Sequence, residues 1–170
     1  VKKIITQDSQ VTLYKYDGDN LKDYPNNYEK DLSSSSELMR ICFLDTETTG
    51  TNLSQDKIIE IALKVIEINK TTGSDFKVID AYQSLHDPGI PIPQGATEIN
   101  GITNEDVKGE KINWDKVDEL ISISQLVIAH NANFDRPFVD RESNASKTNK
   151  IWACSINDID WMARGFKNAK

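Results

Sequence analysis

The stretch Ile41-Cys42-Phe43-Leu44-Asp45-Thr46-Glu47-Thr48-Thr49-Gly50 constrains this chain more than any other. Four apolar residues lead into an acid, a hydroxyl, a second acid, two more hydroxyls and a glycine. The apolar run predicts a buried strand. Side chains alternate along a strand, so Asp45 and Glu47 share a face at its end. Two carboxylates there repel each other and lose hydration. A cation relieves both costs, and hard oxygen donors at this spacing suit Mg²⁺ or Mn²⁺. An acid-x-acid pair taken alone is equally a solvated acidic turn; the continuation Thr48-Thr49-Gly50 weighs against that. Gly50 allows close backbone approach or a positive φ, and the hydroxyls offer contacts to phosphate or sugar.

At 170 residues one domain with a real core is expected. The net charge of −7 excludes a general basic surface for nucleic acid. An acidic protein that handles phosphates needs metal ions or a local basic patch. Cys42 and Cys154 lie in apolar, strand-like runs and read as reduced core residues of a cytoplasmic protein. No signal peptide and no span-length apolar stretch is visible, so no membrane partner is expected.

Residues 1–40 are polar and irregular, with a strand hint at Val11–Tyr16 and turn-prone Asp17-Gly18-Asp19-Asn20. They read as an N-terminal extension to a unit over 41–170. After the first strand, alternation over Lys57–Ile68 and again over Phe76–Leu85 predicts two more strands, joined by a turn at Asn69–Ser74. His86–Ile102 reads as a proline-rich loop. Thr103 with Asp106 predicts a capping box, and Asn113 caps a helix with Trp114, Val117, Leu120 and Ile121 on one face. Leu126–Ala129 is a fourth strand. Asn133 is the expected N-cap of the next helix, with Pro137 in its first turn and Asp135 near its start. Ser143–Lys150 reads as loop and Ile151–Cys154 as the fifth strand. Ser155 and Asp158 predict a final capped helix through Ile156, Ile159 and Met162. The class is α/β: a mixed sheet, a three-strand meander followed by alternating helix and strand, with helices on its faces. Ligands of such sheets sit beyond the carboxyl ends of strands, where Asp45 and Asp135 both lie.

Phe43–Gly50, Ile99-Asn100-Gly101-Ile102-Thr103 and His130-Asn131-Ala132-Asn133-Phe134-Asp135 occur in that order. Together they resemble the DEDD-type 3′→5′ exonucleases, specifically relatives of the proofreading epsilon subunit of bacterial DNA polymerase III. The resemblance covers 41–170. It implies a ribonuclease H-like fold and two divalent ions, Mg²⁺ or Mn²⁺, held by Asp45, Glu47 and Asp135 as catalytic metal ligands. It implies removal of nucleoside 5′-monophosphates from single-stranded or frayed DNA 3′ ends, with a polymerase as a further candidate partner. Thr48, Thr49, Gly50, the Asn100-Gly101-Ile102 turn and Asn131 become candidate substrate contacts, whereas Phe134 fits core packing better. The family's third motif supplies a histidine general base and a fourth acid. The chain's two histidines, His86 and His130, match neither. The resemblance therefore implies a C-terminally incomplete exonuclease domain, lacking a C-terminal helix and weak or inactive as it stands. The alternatives are an RNA-trimming relative, and a catalytically incomplete nucleic-acid-binding or interaction domain with the same fold.

Overall fold

The computed structural model describes residues 3–7, 12–15, 37–73, 76–148 and 150–168. Two short strands, β1 (Lys3–Gln7) and β2 (Thr12–Lys15), pair antiparallel as a separate two-stranded sheet. The strand hinted at 11–16 is thus β2, and β1 is an addition the polar sequence concealed. The turn expected at Asp17–Asn20 lies outside the described residues.

The main sheet has the order β5-β4-β3-β6-β7. Its strands are β3 (Leu38–Thr48), β4 (Ile58–Asn69), β5 (Lys77–Leu85), β6 (Leu126–Ala129) and β7 (Ile151–Cys154). The meander β3-β4-β5 is antiparallel, and β3, β6 and β7 run parallel. Strand β3 is central because its apolar alternation can be buried on one face while both its edges are paired. Cys42, Leu44, Thr46 and Thr48 are buried, whereas Phe43 and Asp45 are exposed and Glu47 is half-buried. Cys42 pairs with Val65 and Leu44 with Leu63.

Helix α3 (Trp114–Ser122) lays Val117, Leu120 and Ile121 on that buried face, and α4 (Ala132–Glu142) adds Phe138 and Val139. Phe134 packs against the same core, its ring 5.2 Å from that of Phe138. A second cluster joins Ile59 to Ile92, Ile102 and Val107 beneath α1 (Gln94–Asn100) and α2 (Asn104–Val107). The capping box forms as expected: the Thr103 hydroxyl accepts from Asp106 N–H, and Thr103 N–H donates to the Asp106 carboxylate. Asn113 caps α3 through Lys116 N–H. The fold agrees with the α/β class expected. No helix among the described residues is long and apolar enough to cross a membrane.

Four local expectations need correction. The proline-rich loop contains α1, which buries no residue and so leaves no apolar period to read. Its signals were Pro93 at the N-cap and Gly101 after it, at φ 78°, donating its N–H to the Thr97 carbonyl. The loop 143–150 contains α5 (Asn144–Lys147), capped by Ser143. Helix α4 begins after Asn131, not Asn133, which puts Pro137 inside the helix instead of in its first turn.

The final helix does not form: residues 155–167 are turns and bends. Neither half of its capping box exists. Asp158 accepts from Cys154 N–H, and the Ser155 hydroxyl pairs with His130 Nδ1. Met162, meant for the apolar face, is exposed.

Cys42 and Cys154 are free and buried. Burial pushes the Cys42 thiol up to about 12, against a weaker opposing pull from Lys150, so it is an inert core group.

Candidate active site

The site is built where β3 ends. Asp45 and Glu47 stand on the face opposite α3 and α4. Thr46 between them turns inward and is buried. Its backbone N–H and its hydroxyl both donate to Asp135 Oδ1, at 3.1 and 2.8 Å. Asp135 lies in the first turn of α4 and is 3 % exposed. A carboxylate is favoured there by the free N–H groups and the helix dipole. One residue of the strand thus ties the acid of the helix to the end of β3.

The acids are electrostatically crowded. Lost hydration is the largest influence on Asp45, Glu47 and Asp135, partial at the exposed Asp45 and half-buried Glu47 and near complete at Asp135, and it holds all three above the ordinary carboxylate range. Repulsion adds to it: Glu60 acts on Asp45, while Asp45, Glu60 and Asp135 all act on Glu47. The opposing influences rank below lost hydration: His130 and Thr46 N–H for Asp45, a side-chain hydrogen bond from Asn100 for Glu47, and the Thr46 bonds for Asp135. Glu60 was missed in the sequence. It faces Glu47 directly in the β3–β4 register and is held by Gln83 Nε2 at 2.6 Å. The alternation over β4 could have found it once the hairpin register was known.

Among the described residues, no three histidine, cysteine or acidic side chains already form a metal cluster. The side chains are engaged singly, Asp135 by Thr46 and Glu47 by Asn100. The chemistry of the donor set nonetheless fits a hard divalent cation: several oxygen donors, mutually repelling, with their negative charge under-compensated.

The remaining candidates divide. Asn100 comes to the acids through Glu47, and its Oδ1 also accepts from Ile102 N–H at 3.0 Å. Beside it Ile99 is 87 % exposed, an apolar side chain at the rim that the sequence reading left without a role. Ile102 is buried in the second cluster. Thr48 and Thr49 are buried and spend their hydroxyls internally, on the Gly50 carbonyl and on Asp56. Gly50 does not have the positive φ that was one reading of it. Asn131 is exposed, and its carbonyl accepts from Phe134 N–H at 2.7 Å. His130 is exposed, with Nδ1 2.8 Å from Ser155 Oγ. His86 follows Leu85, the register partner of Glu60; its N–H donates to the Ile59 carbonyl at 2.8 Å and its Nδ1 accepts from Ile112 N–H at 3.4 Å.

Residues 42–166 match the RNase_T family model, described as Exonuclease. The chain belongs to this exonuclease family. Among curated relatives it is 34% identical over 134 residues to the DNA polymerase III subunit epsilon of Buchnera aphidicola, covering 74% of this chain and 54% of that protein. It is 30% identical over 130 residues to the PolC-type DNA polymerase III of Thermotoga petrophila, covering 75% of this chain and 8% of that protein. The chain therefore spans about half of one relative and under a tenth of the other. Among solved structures, the zinc ion-bound form of the Escherichia coli ExoI–ssDNA complex superposes with a TM-score of 0.57 at 19% identity, over 69% of this chain and 28% of that one. That likeness shows a shared fold, the ribonuclease H-like mixed sheet of the exonucleases. The resemblance to the epsilon subunit's relatives is borne out by the family match and the curated relatives.

Proposed function

We propose that this exonuclease-family domain, residues 41–170 with 1–40 as an extension, removes nucleoside 5′-monophosphates from the 3′ ends of single-stranded or frayed DNA. The observation that carries the reading is the crowded set Asp45, Glu47, Glu60 and Asp135 at the end of β3, beside the exposed turn at Ile99–Asn100. Asp45, Glu47 and Asp135 hold Mg²⁺ or Mn²⁺. Bound there, the divalent charge supplies Lewis-acid stabilisation of the phosphate in its transition state. Glu60 raises the negative potential of the site, and Asn100 orients Glu47. Ile99 gives the terminal base an apolar surface, and the backbone of the Thr48–Gly50 turn lies along its sugar. The similarity to a polymerase III epsilon subunit supports DNA as substrate, a polymerase as partner and a cytoplasmic setting.

Neither histidine is assigned as proton acceptor. His86 follows Leu85 on β5, with Nδ1 accepting from Ile112 N–H, and His130 belongs to the second motif, with Nδ1 paired to Ser155 Oγ. Loss of a general base costs about 10²–10⁴-fold, so these 170 residues turn over slowly. Calorimetric titration with Mn²⁺ tests the metal site. The wild type should bind, and Asp45→Ala should lose that binding. Equal binding by both proteins rejects the ligand assignment.

A further inference from the structure

The glycine that closes the Asp45–Gly50 motif has an ordinary backbone conformation, so no left-handed turn requires it. What it lacks is room. A Cβ at Gly50 would lie 2.5 Å from Asp56 Oδ2 and 2.8 Å from Asp56 Cγ and Oδ1. Asp56 cannot swing aside freely, because both its oxygens are used. Oδ1 accepts from the Thr49 hydroxyl at 2.9 Å, and Oδ2 accepts from Asn52 N–H at 2.7 Å. The Thr49 hydroxyl in turn accepts from Lys57 N–H at 3.1 Å. The backbone of the same loop is gripped from α4. Arg141 Nη1 donates to the Asp56 carbonyl at 3.0 Å and to the Leu53 carbonyl, while its guanidinium lies 5.5 Å from the Phe138 ring centre.

We infer that Gly50 is a glycine in order to admit the Asp56 carboxylate, and that Asp56 is a positioning residue for the Thr48–Gly50 turn. The carboxylate ties the turn to its own loop, and Arg141 ties that loop to the helix that carries Asp135. The turn beyond Asp45 and Glu47 is thereby held at a fixed offset from Asp135. Thr49 belongs to this clamp through its hydroxyl. The functional half of the inference rests on the exonuclease reading; the packing half does not.

A double-mutant cycle separates the two halves. Gly50→Ala, Asp56→Ala and the double variant are compared with the wild type by thermal melting. They are also compared by binding of 5′-fluorescein-labelled dT12 in Ca²⁺, well below every Tm. Gly50→Ala alone should lower Tm by about 2–12 °C, as overpacking against a held group does, and should weaken dT12 binding. In the Asp56→Ala background the same change should cost almost nothing in either readout, because the group it strikes is gone. Asp56→Asn, which keeps the shape and one acceptor oxygen, should recover part of the binding lost in Asp56→Ala. Should Asp56→Ala fail to fold, Asp56→Ser opens similar room and keeps a hydroxyl. Additive losses of Tm overturn the pairing. An undiminished loss of dT12 binding on adding Gly50→Ala to Asp56→Ala overturns the inference, since the glycine then makes room for the nucleotide itself. Failure of the wild type to bind dT12 overturns the positioning role together with the exonuclease reading, while the melting cycle still reads the pairing alone.

Discussion

Asp45→Asn should abolish nucleotide release and at the same time raise the melting temperature at neutral pH. The activity loss follows from the proposed ligand role. Losing several kcal/mol of charge stabilisation in the transition state is about a 10³-fold loss of rate or more. The stability gain follows from the crowding. A carboxyl whose pKa is raised on folding takes up a proton more readily when folded. Its favourable contribution is complete below the ordinary values of 3.8 for aspartate and 4.5 for glutamate, and is lost as pH rises through the folded pKa values. At neutral pH Asp45, Glu47 and Asp135 are therefore a net strain on the metal-free fold. Removing one charge relieves its neighbours. The measurement is Tm against pH for wild type and Asp45→Asn without divalent ions. The two curves should converge in acid, and the variant should lead as pH rises above the ordinary carboxylate range. Mn²⁺ should then stabilise the wild type more than the variant. A variant that melts below the wild type at neutral pH contradicts this account of the site.

Asp135 should behave differently although it belongs to the same set. Its carboxylate carries charge to the site but also accepts two bonds from Thr46, in a place almost closed to water. Asp135→Ala leaves a buried N–H and a buried hydroxyl without that acceptor, at a cost of about 1–3 kcal/mol. For a domain of this size the fall in Tm is about 2–12 °C. Asp135→Asn keeps an oxygen for Thr46 and loses the charge, so it should melt at or above the wild-type temperature. Both variants should lose activity on the scale of Asp45→Asn. Thermal melts of the pair, read beside nucleotide release, separate the two jobs of this residue. If Ala and Asn melt alike, the Thr46 contact is not what fixes the helix to the strand.

Much of this arrangement is legible in the residues. The strands at Leu126–Ala129 and Ile151–Cys154 and the helix carrying Val117 and Leu120 are set by apolar periodicity and caps, which are local. So is the common face of Asp45 and Glu47. What escaped was fixed by contacts distant in sequence. Glu60 joins the site only through its register opposite Glu47, which two-residue alternation alone does not give. Helix α1 has no buried side chain to announce it. The misread final helix shows the converse: Ser155 and Asp158 carry a capping pattern, but tertiary partners at His130 and Cys154 take both groups. The sequence offers the hydroxyls of Thr48 and Thr49 to substrate, but the Gly50 carbonyl and the Asp56 carboxylate accept from them.

The most direct measurement follows the fate of a single strand. A 5′-labelled single-stranded DNA and an RNA of the same sequence are incubated with excess protein and Mn²⁺, with Asp45→Ala as control. A proton acceptor's absence removes only part of an acceleration that spans many orders of magnitude, so slow cleavage remains measurable. The account predicts slow shortening of the DNA from its 3′ end, one nucleotide at a time, with 5′-monophosphates released and no change in the control. Shortening of the RNA in preference to the DNA would assign the domain to RNA trimming. Binding of the strand with no shortening above the Asp45→Ala level would contradict the catalytic account and leave a nucleic-acid-binding domain in its place.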